Sequence, residues 1–261
     1  MGSCGVQIEN HGADAILLAY FEAGEERDVP ASAVESLLEK YGLTNTGMAV
    51  SDVPREDWEA DWRQFFSPIW PTPNIVVHPS WIPVEIDSSQ IAIVIDPKMA
   101  FGTGEHESTQ LCLQILEETV RPETRCLDLG TGSGILAIAA ARLGAHSIRA
   151  VDTDPDAIHN ARENVVRNGI PASVVKVIHG DIRQIEGETF DLVVGNIQSS
   201  VLRPMLTTIV GCLVPGGRSI FSGLLAAERQ PFCEAVDAAG LRVIDVRVQG
   251  NWISVCAQAP I

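Results

Sequence analysis

The 261-residue sequence has no apolar run approaching the roughly 20 residues needed to cross a bilayer. Its first residues also lack the basic-then-apolar order of a secretory leader, so a cytoplasmic protein with no membrane contact is expected. The six cysteines, at 4, 112, 126, 212, 233 and 256, include no C-x-x-C pair, and several sit inside apolar stretches. That argues against a metal site or disulfide framework and for buried reduced thiols. Positive charge is scarce, 18 Lys and Arg against 34 Asp and Glu, for a net of −16. A protein that binds a phosphate backbone directly needs the opposite balance, so nucleic acid is not expected as a direct partner. The first 67 residues carry thirteen Asp and Glu against four Lys and Arg, a net of −9. A basic macromolecular partner would account for that charge, and so would an acidic solvated face.

One further absence narrows the ligand class. Cys126-Leu127-Asp128-Leu129 reads as an apolar strand running into Gly130, Gly132 and Gly134, with a helical run following at once. A dinucleotide fingerprint would place its third glycine at 135, where the sequence has Ile135. The pattern is G-x-G-x-G. Asp128 lies two residues before the first glycine, and Asp152 ends the next apolar run, where a carboxylate can accept from both hydroxyls of a ribose. This arrangement resembles S-adenosylmethionine-dependent class I methyltransferases more closely than nicotinamide enzymes.

From residue 124 the chain alternates strand and helix. Strands are expected at 124–129, 147–151, 173–178, 190–195 and 217–222, with helices at 133–143, 154–168, 199–212 and 226–239. Two final β runs, 241–248 and 252–257, turn at Gly250-Asn251 as a hairpin. The expected fold is α/β, a Rossmann-like sheet of seven strands with a C-terminal antiparallel hairpin. Ahead of it, 15–21, 30–40 and 46–50 read as a small β-α-β unit. Residues 54–66 read as a connecting helix with Trp58, Trp62 and Phe65 on one face. The domain expectation is therefore a small N-terminal α/β substrate-recognition domain at 1–53, a helix and Pro-rich connection at 54–72, and a catalytic domain at 73–261.

Ligands in open α/β sheets bind beyond the carboxyl ends of the strands. Two further candidates sit there. Asp181 suits either the exocyclic amine of adenine or a turn, and Asn196 offers both donor and acceptor to a substrate. Asp96 to His106 forms a loop with its own glycines before a helix at 107–118, and Ile75–His78 and Ile91–Ile95 read as a strand pair before it.

These residues together resemble the PrmA family, the methyltransferases of large-subunit ribosomal protein eleven. The resemblance is carried by Trp58, Trp62, Phe66 and Pro68, by Pro79-Ser80-Trp81, Asp96-Pro97 and the Ala100-Phe101-Gly102-Thr103-Gly104 loop with His106, and by Asp128 to Ala140, Asp152, Asp154-Pro155 and Asn196-Ile197. It implies S-adenosyl-L-methionine as cofactor, contacted by Phe101, Gly102, Thr103, Gly104 and Thr109 together with Gly130, Asp152 and Asn196. It further implies transfer to a lysine side chain or N-terminal amine of a basic ribosomal protein, with Asn196 beside the amine. His106 is a candidate general base, or else a residue that fixes the loop. A methyltransferase for a small amine or another protein, and a protein that only binds the cofactor, are the competing readings.

Overall fold

The computed structural model describes residues 5–11, 14–20, 40, 66–96 and 102–261. The chain divides into two compact units, Met1–Asp57 and Trp58–Ile261. In the first, β1 (Gly5–His11) and β2 (Asp14–Tyr20) pair as an antiparallel hairpin. The expected strand at 15–21 coincides with β2, whereas β1 was not anticipated: only Val6 and Ile8 alternate there, too short a pattern to read. The helix at 30–40 (apart from Lys40), the strand at 46–50 and most of the connecting helix at 54–66 lie outside the described residues.

The second unit opens with a three-stranded sheet of β3 (Ile69–Thr72), β4 (Ile75–His78) and β5 (Ile91–Val94). β3 was missed because Pro68, Pro71 and Pro73 read as breakers. Proline is tolerated on an edge strand, and β3 is one. The other edge, β5, is closed by a side chain: Asn168 Oδ1 accepts from Val94 N–H at 2.9 Å, and its Nδ2 donates to Val94 C=O at 2.7 Å. An amide has both groups a neighbouring strand would offer, so it stands in for one.

The large sheet contains β6 (Arg125–Leu129), β7 (Ser147–Asp152), β8 (Val175–His179), β9 (Phe190–Asn196), β10 (Leu213–Leu225), β11 (Arg242–Gln249) and β12 (Trp252–Gln258). Their order is β11-β12-β10-β9-β6-β7-β8. All neighbours are parallel except β12, which lies antiparallel between β10 and β11. This is the seven-stranded arrangement expected from the sequence. The central strands are apolar on both faces, as a sheet covered on both sides requires: Leu127 and Val193 contribute to one core, Cys126 and Val194 to the other, all four fully buried.

Helices α1 (Glu107–Thr119), α2 (Ile135–Arg142) and α3 (Pro155–Arg167) cover one face; α4 (Ser199–Cys212) and α5 (Arg229–Ala238) cover the other. Their starts are set locally. Asp154 caps α3 by accepting from Asp156 N–H at 2.8 Å, with Pro155 in the first turn, where its missing N–H costs nothing. α5 is preceded by a 3-10 turn at Ala226–Glu228, which shortens the helix expected from 226. Five described cysteines are free, four of them buried, and burial pushes the Cys112 thiol up to about 12 and the Cys256 thiol to about 11. No helix among the described residues is long and apolar enough to cross a membrane.

Candidate active site

A cavity of about 680 Å³ opens at the carboxyl ends of β6, β7 and β9. One wall is the turn after β6. Gly130 adopts φ +67°, and a Cβ there would come within 2.8 Å of the Ile197 side chain, so only glycine lets the turn pass this close to the end of β9. The turn is fastened to β7: Gly130 and Thr131 N–H both donate to Val151 C=O, and Gly132 N–H donates to Asp152 Oδ2 at 2.9 Å.

The sequence-nominated residues separate into two groups. Gly102, His106, Thr109, Gly130, Gly132, Asp152, Asp181 and Asn196 line the cavity. Thr103, Gly104, Asp128 and Gly134 do not, and Phe101 lies outside the described residues. Asp128 is fully buried beneath the turn. Its Oδ2 accepts from Thr131 Oγ1 at 2.6 Å and from Ala137 N–H at 3.1 Å. Asp128 therefore lies beneath the cavity lining rather than in it. α2 begins at a glycine with no capping side chain, and the buried carboxylate satisfies an orphan N–H of its first turn from below. Burial raises the Asp128 carboxyl to about 7; the Thr131 and Ala137 hydrogen bonds counter the rise, and the nearby Asp152 charge adds to it.

Asp152 faces the cavity with both oxygens already engaged, by Gly132 N–H and by Asp154 N–H at 3.0 Å. Each carboxylate oxygen has a second lone pair, so hydroxyl donors remain welcome. Asp181 also reaches the cavity. Its carboxylate accepts from Arg183 N–H at 2.9 Å and pairs with the guanidinium, which holds it below the usual range.

His106 caps α1: its Nδ1 accepts from Ser108 N–H at 3.2 Å and lies 2.8 Å from Ser108 Oγ. A nitrogen that accepts carries no proton, so the neutral ring holds its proton on Nε2. Taking a further proton would cost the cap. The cap fixes the loop to the start of α1. The ring meets Trp252 edge to face, with centroids 4.4 Å apart. Trp252 also lines the cavity and was not nominated from the sequence. The available signal was the hairpin itself. An antiparallel strand begins where its parallel neighbours end, so the first residue of β12 falls at the ligand end of the sheet.

The most telling group is Asn196. Its Nδ2 donates to Thr109 Oγ1 at 3.0 Å, and its Oδ1 is buried without a hydrogen-bond partner. Native structures rarely leave such an oxygen unsatisfied without a use for it.

The profile of a family described as ribosomal protein L11 methyltransferase (PrmA) matches residues 5–260. The chain belongs to that family. The ribosomal protein L11 methyltransferase of Symbiobacterium thermophilum is 42% identical over 208 residues, covering 80% of this chain and 67% of the relative. That of Ruminiclostridium cellulolyticum is 32% identical, covering 97% and 82%. The crystal structure of a ribosomal protein L11 methylase from Lactobacillus delbrueckii subsp. bulgaricus superposes with a TM-score of 0.70 at 28% identity, over 75% of this chain and all of that one. The fold is accordingly the class I, Rossmann-like fold of S-adenosylmethionine-dependent methyltransferases, as the glycine spacing and the closing hairpin of this PrmA member anticipated.

Proposed function

We propose that this PrmA-family protein transfers a methyl group from S-adenosyl-L-methionine to an amine of ribosomal protein L11, at a lysine side chain or the N-terminal amine. The observation that carries the reading is the buried, unpartnered Oδ1 of Asn196 at the cavity wall. The cavity fits the cofactor: the glycine turn at 130–132 forms one wall of it, and Asp152 has lone pairs for hydroxyls. Gly102, Thr109 and Asp181 complete the set of contacts proposed for it, with Thr103, Gly104, Gly134 and Asp128 holding the surrounding backbone. The bound cofactor supplies an electrophilic methyl group on a positive sulfonium.

The chain's own contribution is alignment. Asn196 Oδ1 accepts an N–H of the incoming amine while Thr109 holds the amide, and this leaves the amine lone pair directed along one line. The amine must first be neutral. A lysine of pKa about 10.4 costs about 4–5 kcal/mol to neutralise at pH 7. An acceptor such as Asn196 Oδ1 does not reduce that cost, because it also suits the ammonium form. Burial in the cavity does reduce it, by disfavouring the charged form. No base is assigned among the wall carboxylates Asp152, Asp154 and Asp181, each of which already accepts backbone or guanidinium hydrogen bonds.

The unit Met1–Asp57 is proposed as the substrate-recognition domain, its acidic character suiting a basic ribosomal protein, and a cytoplasmic location is proposed with it because the acceptor is ribosomal. The test is transfer of labelled methyl from the cofactor to isolated ribosomal protein L11, followed by mapping of the labelled amine. Asn196→Ala should lower turnover by about 100-fold. Full turnover in that variant would remove Asn196 from the mechanism, and label on a small amine alone would displace the protein acceptor.

A further inference from the structure

Three cavity-lining side chains come from three separate elements: Asn196 ends β9, Thr109 lies in the first turn of α1, and Trp252 opens β12. One buried residue touches all three elements. Ser222, on β10, is fully buried and sits opposite Asn196 in the parallel register. Its carbonyl accepts from Ile197 N–H at 3.0 Å. Its hydroxyl lies 2.9 Å from Ser108 C=O and 3.3 Å from Ile253 C=O. A hydroxyl has one proton, so Ser108 receives the stronger bond and Ile253 a shared one. The next residue, Gly223, has φ +78°, and a Cβ there would meet Ile197 O at 2.9 Å and Ile197 N at 3.1 Å. The backbone following Asn196 therefore lies directly against this point of β10.

We propose that Ser222 is a positioning residue for the Asn196 amide. It ties the start of α1, which carries Thr109, and the start of β12, which carries Trp252, to the strand end that carries Asn196. The glycine turn and Asp152 stand on β6 and β7 and are fastened to each other without Ser222; of the proposed cofactor contacts, Thr109 is carried by the element that Ser222 ties, so a small loss of cofactor affinity accompanies the larger loss of kcat. The inference rests on the assignment of Asn196 to acceptor alignment.

The test compares the wild type with Ser222→Ala and Ser222→Cys in three measurements. These are calorimetric affinity for S-adenosylhomocysteine, kcat on isolated ribosomal protein L11, and the side-chain amide resonances of Asn196, assigned with Asn196→Ala. Ser222→Ala should keep the affinity within about threefold, lower kcat by about 10- to 100-fold, and shift or broaden the Asn196 resonances. Ser222→Cys, a weaker donor of similar size, should recover part of the loss. Unmoved resonances with wild-type kcat overturn the proposal, as does a loss of affinity equal to the loss of kcat. If Ser222→Ala does not fold, Ser222→Cys carries the same readouts. If the wild type itself transfers nothing to the ribosomal protein, the acceptor reading fails, and the Asn196 resonances alone decide the role of Ser222.

Discussion

Replacing Asp128 with asparagine should flatten the pH dependence of stability between about pH 4 and pH 7. In the folded protein burial raises this carboxyl from an ordinary 3.8 to about 7, despite hydrogen bonds from Thr131 and Ala137. The native state thus keeps a proton that the unfolded chain has released, so the contribution of Asp128 to stability falls as pH rises through this window and levels off above it. The gap from 3.8 to about 7, at about 1.4 kcal/mol per pH unit, amounts to about 4 kcal/mol. An asparagine keeps an oxygen for Thr131 and Ala137 and has no charge to desolvate. The assay is urea unfolding of wild type and Asp128→Asn at half-unit steps from pH 4 to 8. The difference in unfolding free energy should move in favour of the variant by several kcal/mol across the range. Parallel curves would refute the reasoning, because they would mean that Asp128 titrates alike in both states. Asp152 is the charged neighbour that adds to the rise, so Asp152→Asn should narrow the window without removing it.

Two other outcomes follow from the geometry. His106→Asn keeps a cap for α1 and should hold kcat within a few-fold with an unchanged pH profile; a general base would cost about 100- to 10,000-fold. Asn168→Ala leaves Val94 N–H and C=O without their side-chain partner and should lower stability by about 2–4 kcal/mol in denaturant unfolding. A loss below about 0.5 kcal/mol would mean that water replaces the amide at this edge.

The tertiary structure decided which candidates touch the cavity. Asp128 and Asp152 both sit at strand ends and look alike as sequence, yet one points under the turn and the other into the cavity. The difference is one of depth. Asp128 pairs with Ala150, so on the same face of the sheet it lies two residues short of the level of Asp152, where the glycine turn and the start of α2 cover it. His106 is similar: a histidine in a glycine loop invites a catalytic reading, and only the position of Ser108 N–H shows the ring spending its lone pair on a helix cap. Ser222 carried no local signal, because it meets Asn196 across about twenty-five residues of chain, through sheet order alone.

What the sequence by itself determined was the alternation of strands and helices, the closing hairpin and the glycine turn, since each depends on residues within a few positions of one another. Apolar periodicity, helix caps and glycine conformations act locally and can be read locally. The insertion of β12 between β10 and β11, the Asn168 closure of β5, and the free oxygen of Asn196 were decided only in three dimensions. Each depends on which distant groups the packed sheet brings within hydrogen-bond reach.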